Sequence, residues 1–294
     1  MKRDSTVSIV IPTFNRSGML GKAVQSALEQ TVHCEIIVAD HGSTDDTPTV
    51  MKAYEGRVSY LRREQDNGPL FAWADGIVSA TSEYVHITYD DDWIAPEFIE
   101  ECLNLFERDC AFVFCAADIQ WPDGGVVHQY KNHYQTGTHP VQVIEDYLFS
   151  IPLTISPGCA LFRRKDILSA MLVDRVPTAS HYYRGAGTDL LMFLMPLLNY
   201  PKFGFVNKPL AFFTAHPGSI TVDATANAEK ALGLKRGYEE IRKYYLIVKD
   251  ALARDRGRHL LRRATAMRLI RRAIRHLRRI DSFSSPKRSD RVSN

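Results

Sequence analysis

The run Tyr89-Asp90-Asp91-Asp92-Trp93 sets three acids in succession directly after the apolar stretch Tyr84 to Thr88. Adjacent carboxylates at the end of a buried strand repel one another unless a cation neutralises them. Hard divalent ions such as Mg²⁺ or Mn²⁺ take oxygen ligands, often one or two carboxylates together with substrate phosphates. Standing alone, the same triplet also reads as a solvated acidic turn before a helix at Pro96, so its meaning rests on its surroundings.

Three further segments carry candidate chemistry. In Val38-Ala39-Asp40-His41-Gly42-Ser43-Thr44-Asp45-Asp46-Thr47, Asp40 ends an apolar run where a carboxylate can accept from a nucleobase N–H or a ribose hydroxyl. Capping of the helix near Pro48 explains Thr44 to Thr47, and leaves Asp40 and His41 for a ligand. Pro12-Thr13-Phe14-Asn15-Arg16 turns from the first apolar run, and its backbone and Arg16 face a nucleotide or simply solvent. His216-Pro217-Gly218-Ser219-Ile220-Thr221 follows another apolar run, where His216 either closes over a diphosphate or metal or is an ordinary loop residue. Trp93 reads as a wall of a sugar pocket or as packing under the next helix.

Positioning these groups requires a sheet. Val7 to Pro12, Glu35 to Ala39, Val58 to Leu61, Tyr84 to Thr88 and Ala111 to Ala117 read as strands. Between them Met19 to Gln30, Pro48 to Tyr54, Pro69 to Ala80 and Pro96 to Glu107 read as helices, with Pro48, Pro69 and Pro96 suited to first-turn positions. Alternation of this kind predicts an α/β fold with a mostly parallel central sheet flanked by helices. Its ligands lie beyond the carboxyl ends of the strands, where the candidate segments fall. Further on, Pro122-Asp123-Gly124-Gly125 reads as a hairpin turn. Gly158 to Phe162, Gly204 to Val206 and Leu210 to Thr214 read as short strands, Asp189 to Tyr200 as a helix interrupted near Pro196, and Ala224 to Ala253 as a long helix.

The 294 residues suffice for one large core, and 45% hydrophobic with 24% charged residues describes an ordinary globular chain. No apolar stretch reaches the ~20 residues that span a bilayer, and the N-terminal segment is too short for a secretion signal. Five cysteines without paired C-x-x-C spacing argue against a disulfide framework and fit a reducing cytoplasm. The net charge of +3 hides an asymmetry. From Arg254 onward there are fourteen Lys/Arg and three Asp/Glu, which leaves 23 cations and 31 anions before it, a net −8. Within that tail, Leu260, Ala264, Met267, Ile270, Ile274 and Leu277 recur at helical spacing among arginines. This is a basic amphipathic helix suited to an anionic membrane surface, or to docking on the acidic body or a second subunit. No nucleic-acid motif accompanies it.

Taken together, Val7 to Arg16, Asp40 to Thr47, Gly76-Ile77-Val78-Ser79-Ala80-Thr81-Ser82-Glu83-Tyr84 and Asp90-Asp91-Asp92 with Pro96 resemble the family 2 glycosyltransferases of GT-A fold. The resemblance is clear over residues 6 to 115 and continues more faintly to about 220. It implies a nucleotide-diphosphate-sugar donor, a divalent metal (Mn²⁺ or Mg²⁺) and inversion at the anomeric carbon. It also implies that Asp91 makes the main metal–diphosphate contact and that Asp40 lies by the nucleoside. By the same resemblance, Pro12, Thr13, Asn15, Arg16, Asp40, His41, Asp90, Asp91 and Trp93 face the nucleotide-sugar, with Asp91, Asp92 and His216 around the metal. Inverting transfer is a single displacement, needing one base for the acceptor hydroxyl. The family's base matches Asp189 in Gly185-Ala186-Gly187-Thr188-Asp189. The sequence departs from the family pattern at His41, at Trp73-Ala74 in place of an Arg-Asn pair, at Tyr89 in place of a first acid, and at Thr188 in place of Glu.

The domain expectation is a glycosyltransferase domain over 1–222, with a nucleotide-binding half at 1–117 and an acceptor half at 118–222. A helical extension over 223–282 and a disordered tail over 283–294 follow. The expected donor is a UDP-sugar, with dTDP or GDP as alternatives. The expected acceptor is a saccharide or lipid-linked saccharide in bacterial surface polysaccharide or glycolipid assembly. The expected setting is the cytoplasm, peripheral on the inner face of the membrane, with a homo-oligomer open and no nucleic-acid partner. Two rivals are a nucleotidyltransferase, for which no Gly-rich phosphate loop with a basic residue follows Pro12, and an inactive scaffold.

Overall fold

A computed structural model describes residues 6–151, 154–171, 187–216 and 231–255. Strand β1 (Val7–Thr13) is buried along its whole length, because parallel neighbours flank it and helices cover it. It pairs in parallel with β2 (Cys34–Asp40), Thr13 opposite Asp40, and with β4 (Tyr84–Ile87), Val10 opposite Ile87. β3 (Ser59–Arg62) extends the sheet beside β2, Arg62 opposite Asp40. In-register parallel pairing therefore delivers Thr13, Asp40 and the loop after β4 to one edge.

Helices α1 (Ser17–Leu28), α2 (Thr47–Lys52) and α3 (Pro69–Ser79) connect these strands. Gly76 of α3 lies so close to β1 that a Cβ there would come within 2.2 Å of Val10 Cγ1. That glycine is a packing requirement of helix on sheet.

Beyond Asp92 come the short β5 (Trp93–Ile94) and α4 (Phe98–Leu105). β6 (Cys110–Gln120) then runs through the core and turns at Asp123-Gly124 into β7 (Val126–Gln129). β8 (Gly137–Pro140) and α5 (Val141–Ser150) follow. β9 (Ala160–Arg163), α6 (Arg164–Ala170) and α7 (Thr188–Leu194) come next, before the long β10 (Lys202–Thr214). The sheet order is β3-β2-β1-β4-β9-β6-β10-β5, with β7 on β6 and β8 on β10. β9 runs antiparallel between β4 and β6, while β6 and β10 are parallel. The expected mostly parallel sheet with flanking helices is present, with antiparallel insertions.

The second half departs from the sequence expectation in detail. The two short strands at 204–206 and 210–214 are one strand, β10, whose register against β6 shifts at Val206/Pro209 and Pro209/Ala211. Asn207, Lys208 and Pro209 lie between those two runs, and irregular pairing accommodates them within the strand. The helix expected over Asp189 to Tyr200, interrupted near Pro196, is found as such: α7 ends at Leu194 and a 3₁₀ turn follows over Pro196–Leu198, since Pro196 cannot donate to the α-helical ladder.

Residues 231–255 form a helix, α8. Up to Tyr245 it belongs to the same compact unit as the sheet, so that unit runs past the division expected at 222. Tyr238, Ile241 and Tyr245 are buried. Arg242 donates to the carbonyls of Leu148 at 3.0 and 3.1 Å and of Ile151 at 2.6 Å, satisfying the exposed C-terminal end of α5. A second unit begins at Leu246; within it 246–255 are helical and carry exposed Leu246, Ile247 and Leu252. The basic helix expected over Arg258 to Ile280 and the tail beyond it lie outside the described residues. Among the described residues, no helix is long and apolar enough to cross a membrane.

Candidate functional site

The candidate residues fall into an inner set that holds the strand-edge loops and an outer set with free surface. Asn15 is exposed, and Arg16, Asp91, Trp93, Asp189 and His216 are half-buried, whereas Pro12, Thr13, Asp40, His41, Asp90 and Asp92 are buried. Pro12 and Thr13, expected to line a nucleotide, are enclosed in β1, and the Thr13 hydroxyl donates to Asp90 Oδ2 at 2.8 Å. Asp90 also faces the Phe14 amide at 3.4 Å. Burial pushes its carboxyl up to about 6, opposed by Arg16 and the Thr13 hydroxyl.

Asp40 is saturated by its own surroundings. Its Oδ1 accepts from the amides of Gly42 at 3.1 Å and Ser43 at 2.8 Å. Its Oδ2 accepts from the Tyr60 hydroxyl at 2.5 Å, with Arg62 Nε at 3.5 Å. The Arg62 guanidinium also donates to the Ser43 carbonyl at 3.0 Å. Asn15, held at a left-handed φ of 53°, ties the first loop to this one: its amide donates to Ser43 Oγ at 2.9 Å and its Oδ1 accepts from the Thr44 amide at 2.7 Å. His41 stacks on Phe14 with centroids 4.5 Å apart and sits 2.7 Å from Asp66. Tyr60, Arg62 and Asp66 escaped the sequence reading. The signal for the first two was the parallel register that sets β3 beside Asp40.

The outer set converges at Asp91. Arg16 Nη1 donates to Asp91 Oδ2, and His216 Nε2 lies 2.9 Å from the same oxygen. The loop carrying Asp91 is stitched to the end of β10: Thr214 Oγ1 donates to the Asp91 carbonyl at 2.6 Å, and the Thr214 amide donates to Asp92 Oδ1 at 2.9 Å. Asp92, expected as a metal ligand, gives Oδ1 to that amide, and without a cation burial first, then the Asp91 charge, drives its carboxyl well above the usual range. Trp93, read as a pocket wall or as packing, stacks on Phe212 at 5.4 Å with Lys22 Nζ 2.8 Å from its centroid, and stays half-buried.

Asp189 sits in the first turn of α7, after Gly187 with a left-handed φ of 91°. Oδ1 accepts from the Leu190 amide at 2.9 Å and Oδ2 from the Tyr238 hydroxyl at 2.6 Å. Burial raises its carboxyl, and the Tyr238 hydrogen bond opposes that rise. Tyr89 links the two ends of the site. Burial and then the charges of Asp189, Asp92 and Asp91 keep its hydroxyl neutral. Tyr238 carries no sequence signal, because only folding brings α8 to α7.

The acidic loop faced by Arg16 and His216 lies beyond the carboxyl ends of parallel strands, where α/β sheets bind their ligands. The family described as Glycosyl transferase family 2 matches residues 8–169, and the chain belongs to it. Among curated relatives, the putative teichuronic acid biosynthesis glycosyltransferase TuaG of Bacillus subtilis is 29% identical over 123 residues, 40% of this chain and 49% of that protein. The chondroitin synthase of Escherichia coli is 33% identical over 113 residues, 37% of this chain and 16% of that protein. This chain spans about half or less of the length of the curated relatives it matches. Among solved structures, S. aureus TarS 1-349 in complex with UDP-GlcNAc superposes with a TM-score of 0.58 at 16% identity, covering 82% of this chain and 70% of that one. The mannosyltransferase PcManGT of Pyrobaculum calidifontis, in complex with GDP-Man and Mn²⁺, superposes with a TM-score of 0.51 at 16% identity, covering 76% and 61%. These likenesses show the GT-A-like fold.

Proposed function

We propose that the chain is an inverting glycosyltransferase that moves a sugar from a nucleotide-diphosphate-sugar, UDP-linked by preference, to a hydroxyl of a saccharide or lipid-linked saccharide acceptor. The observation that carries this reading is the meeting of Arg16 and His216 on Asp91 at the strand edge. The fold match to a structure holding UDP-GlcNAc supports the donor class, and the relative named for teichuronic acid biosynthesis supports a surface-polymer acceptor.

The donor set fits a divalent ion shared with the substrate. Asp91 offers a carboxylate and His216 an imidazole at one point, and among the described residues no further acid, His or Cys completes a three-residue cluster. The remaining positions suit phosphate oxygens and water. A bound ion would neutralise the diphosphate as it leaves. Arg16, already poised at Asp91, would supply cationic contact to the same phosphates, with Asp91 holding the ion.

Asp189 receives the proton of the attacking hydroxyl. Its burial favours the neutral product of that transfer, and hydrogen bonds from Leu190 and Tyr238 keep the ionised form available. The buried Asp40 and Asp90, with the exposed Asn15, keep the nucleotide-side loops in register. The test is transfer from radiolabelled UDP-GlcNAc, UDP-glucose and GDP-mannose to a bacterial membrane-lipid extract. Wild type labels product with one donor, while Asp189→Asn retains donor binding and loses on the order of 10²–10⁴-fold in rate. An Asp189→Asn enzyme with wild-type turnover contradicts the reading.

A further inference from the structure

The hydrogen bond between Tyr238 and Asp189 joins two segments 49 positions apart in sequence. Both ends of the contact are built. On the α7 side, Gly187 starts the turn, and a Cβ there would come within 2.7 Å of Ile241 Cγ1 and 3.2 Å of the Gly237 carbonyl. Helix α8 therefore rests directly on the turn that launches Asp189, and only glycine fits beneath it at this φ. On the α8 side, Tyr238, Ile241 and Tyr245 form a buried face, and the three hydrogen bonds of Arg242 to the end of α5 fix its height along the helix.

We infer that Tyr238 is a positioning residue for the general base: docking of α8 brings its hydroxyl onto Asp189 Oδ2, holding the carboxylate in one orientation. The inference rests on the assignment of Asp189 as the base. It gives the C-terminal helix a part in the chemistry, since a carboxylate free to rotate takes the proton from a poorer angle.

The groups facing Asp189 are accounted for element by element. Tyr89 approaches from the loop after β4 and Tyr130 from the segment after β7, both with hydroxyls kept neutral by burial. Tyr238 comes from α8, with Arg242 one turn further on tempering it. Asp91 and Asp92 act on Tyr89. Of these, Tyr238 is the side chain that hydrogen-bonds Asp189 and opposes its burial. Removing its hydroxyl leaves burial opposed only by the backbone amides, so the carboxyl titrates higher.

The test uses the full chain labelled with carboxyl-¹³C aspartate, titrated by NMR, with the Asp189 signal assigned by its loss in Asp189→Asn. Tyr238→Phe keeps the ring and its packing. It is expected to raise the Asp189 midpoint by about half a pH unit or more and to slow UDP release from UDP-GlcNAc on the order of tenfold at unchanged KM. Arg242→Ala keeps the hydroxyl but removes the anchor of α8, and moves the midpoint the same way. The NMR arm needs no donor. An Asp189 midpoint identical in wild type and Tyr238→Phe overturns the inference, whatever the activity. UDP release that survives Asp189→Asn overturns the base assignment and the inference with it, and is told apart from the first failure by the shifted midpoint.

Discussion

The rings of Trp73 and Tyr89 lie 5.8 Å apart, tilted by 38°. Both positions depart from the family pattern, which has a basic residue at the first and an acid at the second. In this chain the two departures touch. A neutral aromatic contact stands where the pattern places charges, and it borders Asp189 and the acidic loop.

The pair is therefore expected to be coupled. Tyr89→Asp adds a fourth carboxylate to a buried acidic loop and costs about 2–3 kcal/mol. Combining it with Trp73→Arg, which supplies a partner charge, recovers about 1 kcal/mol or more. Urea unfolding of the two single variants and the double variant gives the coupling energy. Strict additivity of the two changes would contradict the contact's importance.

His86 carries a pH dependence unrelated to catalysis. It is fully buried against Phe98, with Nδ1 2.8 Å from the Ala160 carbonyl, and Nε2 has no hydrogen-bond partner. Burial lowers its pKa from 6.5 to about 4. The folded state thus binds this proton less readily than the unfolded chain. Stability from His86 is fully present above pH 6.5 and is lost as the pH falls towards 4, by up to about 3 kcal/mol. Tm measured from pH 7.5 to 4 is expected to fall more steeply for wild type than for His86→Gln. Parallel curves would show that the group contributes nothing in this window.

Gly76→Ala tests the packing of α3 on β1. With Val10 Cγ1 at 2.2 Å from the added methyl position, overpacking costs about 1–3 kcal/mol, a Tm decrease of roughly 2–4 °C per kcal/mol for a domain of this size. Val10→Ala in the same chain opens the space and is expected to restore part of the loss. An unchanged Tm in Gly76→Ala would mean that helix and strand separate at little cost.

The nucleotide-side half was legible because its signals are local. The apolar runs that became β1, β2, β4 and β6, and the prolines in the first turns of α2 and α3, mark their elements without reference to anything distant. The second half was less so. β5 is two residues long, and β10 crosses Asn207-Lys208-Pro209 through shifted register, which no periodicity reveals. The same division holds at the site. Asp91 and His216 stand out as chemistry-bearing residues after apolar runs, while Asp189 was singled out by the family resemblance. Whether an acid faces solvent or is spent on a neighbour depends on long-range contacts. Asp40 is consumed by Tyr60 and Arg62, and Asp92 by the Thr214 amide 122 positions away. Tyr238 belongs wholly to that second kind of information.

The most direct test of the account is calorimetric titration of UDP into wild type and Asp91→Ala, each with and without Mn²⁺. The account predicts UDP binding that Mn²⁺ strengthens in wild type and a loss of that strengthening in Asp91→Ala. Failure of wild type to bind UDP, dTDP or GDP, with or without the metal, would contradict the assignment of Arg16, Asp91 and His216 to a nucleotide-diphosphate site.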